Sequence, residues 1–124
     1  TAQQLRNHPL RGSIFETWVV SEIIKRRMHQ GENRPCYYFR DQRGCEADMV
    51  IDYHDHLQVI EVKAGQTITD DALRIASKAA RRLSAVRTVE SMLAYGGDLF
   101  QQRTDITVLP WNQLERIEWA NKEL

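Results

Sequence analysis

The residues best suited to chemistry cluster in residues 48–63, which read DMVIDYHDHLQVIEVK. Two strand-like runs flank a polar turn, yet acidic residues stand where a buried strand is normally apolar. Alternation puts Glu46, Asp48 and Val50 on one face of the first run and Ala47, Met49 and Ile51 on the other. In the second run Val59, Glu61 and Lys63 share a face, and Ile60, Val62 and Ala64 share the opposite one. If the loop has an even residue count with His54-Asp55 at its tip, Asp48 lies directly across from Glu61. Opposed residues of a hairpin have Cβ atoms about 5 Å apart. Two carboxylates that close repel each other unless a cation or a proton lies between them. Lys63 adds an ammonium on the same face. A three-residue loop would break this register and send Asp48 to the other face.

A third carboxylate precedes these strands. Residues 11–29 have helical periodicity, and Phe15, Val19, Val20, Ile23 and Ile24 span one apolar face. Glu16 falls in the middle of that face, with Gly12 one turn earlier leaving space beside it. A buried carboxylate there needs a partner. The alternative is a helix rotated so that Glu16 lies at the edge of the core, paired with an arginine. Lys25, Arg26 and Arg27 close the helix, where cations complement the C-terminal dipole.

The remaining elements follow from turn and periodicity signals. Residues 36–41, 45–53 and 57–64 are strands separated by DQRG and YHDH turns. Thr69 or Asp70 caps a second helix that runs to about residue 84, with Leu73, Ala76, Ala80 and Leu83 on its apolar side. Arg74, Lys78, Arg81 and Arg82 form a basic stripe opposite, read either as solvated surface or as a nucleic-acid contact. Residues 88–95 and 105–109 are further strands, and residues 110–119 a short amphipathic helix. The order α-β-β-β-α-β-β-α describes an α/β fold, more closely an α+β mixed sheet with flanking helices.

Composition limits the possible functions. A chain of 124 residues, 42% hydrophobic and 27% charged, is expected to form one globular domain, residues 1–124. Seventeen Lys and Arg balance seventeen Asp and Glu, so any nucleic-acid contact must come from a local patch. No run approaches the roughly 20 apolar residues that cross a bilayer, and no signal peptide is evident, so no membrane partner is expected. A hairpin around Gln42-Arg43 would set Cys45 opposite Arg40 and Cys36 opposite Met49, too far apart for a disulfide. Two free thiols suit a reducing, cytoplasmic setting. His54 and His56 fit a solvated hairpin tip, while Trp18, Trp111 and Trp119 fit packing roles. The chain begins at Thr1, which suggests a piece of a longer protein.

In order, Glu16 on a helix, Asp48 on a strand and Glu61-Val62-Lys63 on the next resemble the PD-(D/E)xK nuclease superfamily of restriction-endonuclease-like and resolvase-like enzymes. The segments HPLRGSIFETWVVSE, YYFRDQRGCEADMVID and IEVKAGQT resemble, more narrowly, a domain of unknown function found at the C-terminus of a bacterial and archaeal AAA-type ATPase family. The resemblance implies a restriction-endonuclease-like α-β-β-β-α-β core with an added strand and a C-terminal helix. It implies Mg²⁺, with Mn²⁺ as a substitute, held by Asp48, Glu61 and the Val62 carbonyl. Lys63 would position the attacking water, Glu16 would support the site or hold a second ion, and Gln66 would touch substrate. Arg74 and Lys78 are the candidate phosphate contacts from the basic stripe. Ala47 replaces the superfamily's proline, and Glu46 adds a carboxylate that is either an extra ligand or an arginine's partner. No GxxxxGK(S/T) motif is present, so the ATPase domain that the resemblance implies would lie upstream. The expected function is metal-dependent phosphodiester hydrolysis on nucleic acid, DNA first. One alternative is a catalytically silent module that docks on the ATPase. Another is a buried ion-pair network joining Lys63 to Glu61 and Arg40 to Asp48.

Overall fold

The structure, a computed structural model, describes residues 11–118. Helix α1 (Arg11–His29) matches the expected span, but its core stripe is narrower. Phe15, Val19 and Ile23, four residues apart, are fully buried, whereas Ile24 is 41% exposed. The helix is therefore rotated, and Glu16 sits half-buried at the edge of the core rather than at its centre. Arg27 continues the buried stripe, and its guanidinium donates to the Arg34 carbonyl at 2.7 Å.

Six strands follow: β1 (Cys36–Arg40), β2 (Glu46–Asp52), β3 (His56–Lys63), β4 (Thr88–Tyr95), β5 (Gln101–Gln102) and β6 (Thr107–Pro110). They form one sheet in the order β1-β2-β3-β4-β6-β5. The first two hairpins are antiparallel, and β3, β4 and β6 run parallel, so the sheet is mixed as expected. β3 lies inside the sheet and is buried along most of its length, which is why HLQVIEVK carries so few exposed polar positions.

Helix α2 (Asp70–Leu83) provides the crossover between β3 and β4. Thr69 is its cap, and its hydroxyl oxygen accepts from the Ala72 N–H at 3.0 Å. Of the expected apolar side, Ala76 is buried and Leu73, Ala80 and Leu83 are half-buried, and Ala79 is buried beside them. The two helices divide the core. Phe15, Val19 and Ile23 of α1 pack on Met49, Ile51, Ile60 and Val62. Ala79 of α2 packs with Ala47, Val50, Leu57 and Val59.

Three further expectations need correction. The first hairpin turns through three residues with Gly44 at φ +81°, and Asp41 N–H donates to the Cys45 carbonyl. Arg40 therefore faces Glu46 and Cys36 faces Ile51, not Cys45 and Met49. The short strand β5 was not expected. The terminal helix is reduced to a 3₁₀ turn, Leu114–Arg116, because Pro110 pairs with Tyr95 as the end of β6. His8 and Trp119 lie outside the described residues, as does the end of the expected terminal helix. No helix among the described residues is long and apolar enough to cross a membrane.

Candidate active site

The site is built by a bulge in β2 and a gap between β2 and β3. Phe39 faces Ala47 and Tyr37 faces Val50, so Asp48 and Met49 together oppose the single residue Tyr38. Two residues against one is a β-bulge, which re-aims side chains and increases local twist. Ala47 and Val50 consequently share the α2 side of the sheet, although simple alternation separates them. Asp48 is turned toward α1 instead of remaining on the Val50 face.

The turn between β2 and β3 has the even count, with His54 at φ 80° in its tip. Met49 pairs with Ile60, and the next step of that register sets Asp48 against Glu61. The ladder ends there, although both strands continue. Side chains replace the missing backbone partners. Val62 N–H donates to Asp48 Oδ2 at 2.8 Å, and Asp48 N–H donates to Glu61 Oε1 at 3.1 Å. Each carboxylate has one oxygen fixed by a backbone amide, so the pair is held rigidly together.

Electrostatics at this contact are unusual. Glu61 is 6% exposed. Burial, then the hydrogen bond and charge of the Asp48 carboxyl, push its pKa up to about 8, against the pull of Lys63. The Lys63 ammonium lies 3.5 Å from Glu61 Oε2. Burial and the facing carboxyl thus favour a proton on the pair at neutral pH. Burial also raises Glu16 above its usual range, Lys63 opposes the rise, and the Asp48 charge adds to it. Glu16 and Asp48 line one cavity of about 270 Å³, together with Ser13, Thr17 and Ser21 of α1. Glu61 and Lys63 line a second, of about 290 Å³, with Arg74 and Lys78 of α2.

Glu16, Asp48, Glu61 and Lys63 thus come together, and Arg74 and Lys78 reach the second cavity. Arg74 also pairs with Asp71. Gln66 lies exposed on the loop after β3 and lines neither cavity. The Lys63–Glu61 ion pair is formed, but no Arg40–Asp48 pair exists among the described residues. Glu46 accepts from the Tyr38 hydroxyl instead of an arginine. His56 stacks on Tyr53 at the far hairpin tip, and Trp18 packs edge-on to Trp111 at 6.4 Å, so these rings serve structure. A further cavity, about 500 Å³ between β4–β6 and the 3₁₀ turn, contains none of the four site residues. Sequence reasoning missed Tyr38, Ser13, Thr17 and Ser21. The three hydroxyls recur every four residues beside Glu16, which was a readable signal.

Among the described residues, no three His, Cys, Asp or Glu side chains form a group that would hold a metal ion. The donor set nonetheless fits a single hard cation. Two carboxylates in contact meet the needs of Mg²⁺, which typically takes one or two carboxylates and completes its shell with water and substrate oxygens. Residues 11–114 match the family described as Domain of unknown function (DUF4143), and the chain belongs to that family. No curated protein and no solved structure matches the chain.

Proposed function

We propose that this DUF4143 domain hydrolyses phosphodiester bonds in nucleic acid, with DNA the first substrate class to test. The observation that carries the reading is the Asp48–Glu61 contact, a carboxylate pair with Glu61 buried and Asp48 half-buried that needs a proton or a cation, beside Lys63. Asp48, Glu61 and the Val62 carbonyl would hold Mg²⁺ or Mn²⁺. Such an ion neutralises phosphate charge and lowers the pKa of a bound water. Lys63 carries a fixed positive charge beside Glu61, where it stabilises negative charge developing on a phosphoryl oxygen. Glu16 holds its proton to higher pH than an ordinary carboxylate, which suits it to orienting or protonating a bound oxygen near Asp48. Arg74 and Lys78 supply phosphate contacts from α2. Gln66 retains only the role of a loop contact. On this reading the domain works beside an upstream ATPase in its parent chain.

The test is cleavage of labelled branched, single-stranded and duplex DNA under Mg²⁺ or Mn²⁺. Asp48→Asn and Lys63→Ala are expected to lose about 100-fold or more in rate, the scale of losing one transition-state charge contact. Parental rates in both variants would sink the proposal. The exact balance of 17 basic and 17 acidic residues favours a second reading, a silent module that docks on the ATPase. Docking that is insensitive to Asp48→Asn, together with no Mn²⁺ binding, would select it.

A further inference from the structure

Strand β1 lies at the edge of the sheet, and its central residue, Tyr38, is 57% exposed. The β2 bulge places its backbone opposite Asp48 and Met49, and its phenol lies close enough to feel the Asp48 charge. Its hydroxyl donates to Glu46, which lines the cavity of Glu61 and Lys63. Tying the hydroxyl fixes the ring, which loses side-chain freedom without gaining burial. A fixed, exposed aromatic face at a site for nucleic acid is a stacking surface.

The surrounding charges indicate what stacks there. Glu46 and Asp48 are the acidic groups next to the ring, and the phenol feels both. A phosphate against the ring would meet their repulsion, whereas a neutral base would not. Arg40, two residues along β1 and close enough to act on the phenol, offers a cation for the neighbouring phosphate. In a duplex both faces of each base are covered by its neighbours, so only an unpaired or extruded base presents a face. We infer that Tyr38 stacks on an unpaired base and that the Asp48–Glu61 site takes its substrate as single-stranded or locally unpaired nucleic acid. This inference rests on the nucleic-acid reading above, but not on whether the bond is cleaved.

Binding in EDTA separates the two. Labelled single strands and fully paired duplexes are titrated by fluorescence anisotropy against the parent protein, Tyr38→Ala and Tyr38→Phe. Tyr38→Ala is expected to weaken single-strand binding by about 10- to 100-fold, the range for one lost base–aromatic stack, with duplex binding unchanged. Tyr38→Phe keeps the ring and is expected to retain single-strand binding. A 2-aminopurine base in the strand is expected to be quenched by the parent protein and by Tyr38→Phe, but not by Tyr38→Ala. Equal weakening of both substrates, or none, overturns the inference. So does a parent protein that fails to bind single strands, even if it cleaves duplex. A dimer that Tyr38→Ala converts to monomer in sedimentation, with strand binding intact, would assign the edge to a second copy of the chain. Tyr38-dependent binding without cleavage under any metal would leave the inference standing and remove the hydrolase reading.

Discussion

Glu61 shows how far one residue's setting departs from its type. A free glutamate titrates near 4.5, yet here burial and the Asp48 carboxyl raise the value to about 8. Below about 4.5 both folded and unfolded chains hold this proton, so it contributes no pH dependence. Between about 4.5 and 8 the folded chain keeps a proton that the unfolded chain has released. Stability therefore falls as pH rises through that window, by at most about 1.4 kcal/mol per pH unit from this group, and levels off above it. Glu16 is shifted in the same direction and adds to the slope. Thermal melts from pH 5 to 8 are expected to show this decline in the parent protein and a shallower one in Glu61→Gln. At pH 8, Mg²⁺ is expected to raise the parent's melting temperature more than at pH 5, because there the ion competes with a proton that is already half released. A pH-independent parent melt would show that Glu61 is not held buried against the Asp48 carboxyl. The four candidate residues were legible because their signal is local: charged groups inside apolar runs are conspicuous. Tyr38 was not, because its neighbours depend on counting residues around a turn and through a bulge.

At the scale of elements, the sheet was readable wherever hydrophobic period and turn chemistry agreed. Helix α1 and strand β4 keep the bounds read from the sequence, and Thr69 is the cap. The bulge was hidden because EADMVID alternates equally well with or without one extra residue at Asp48-Met49. Only the Phe39–Ala47 and Tyr37–Val50 pairs reveal it. The first turn differs for a similar reason: Gly44 adds a third residue to the expected Gln42-Arg43 loop. A further device at this scale is Gly96, just after β4. Its N–H donates to the Gly65 carbonyl at 3.0 Å, and a Cβ built on it would stand 2.2 Å from the Ala64 carbonyl oxygen. That contact is backbone, so it yields only if the end of β3 moves, and Lys63 is the residue immediately before Ala64. Gly96→Ala is expected to cost about 1–3 kcal/mol by overpacking, read as a lower denaturant midpoint. It is also expected to weaken Mn²⁺ binding by moving Lys63 and Glu61. An alanine at 96 with unchanged stability and unchanged Mn²⁺ affinity would show that the close approach does not constrain the site.

The whole molecule is electrically neutral, and that sets how it can hold a polyanion. With 17 cations against 17 anions, no long-range basic field gathers nucleic acid. Attraction must come from the cations around the two cavities and the β1 edge: Lys63, Arg74, Lys78 and Arg40. Arg82 and Arg87 pair with Asp41 and Asp52 and line neither cavity. Four cations engage at most about four phosphates, and each phosphate contact on a single strand adds about −0.7 to the slope of log K against log salt. Single-strand affinity is therefore expected to fall with a slope no steeper than about −3. The proposed base stacking on Tyr38 would add affinity that salt leaves largely untouched. Anisotropy titrations between low and moderate salt give the slope directly. Arg40→Gln is expected to flatten it by about 0.7, while Tyr38→Ala is expected to shift the line to weaker binding without changing its gradient. A much steeper slope would require a wider cationic surface than these four residues provide. A gradient that changes with Tyr38→Ala would mean that the ring orders the phosphate contacts as well as the base.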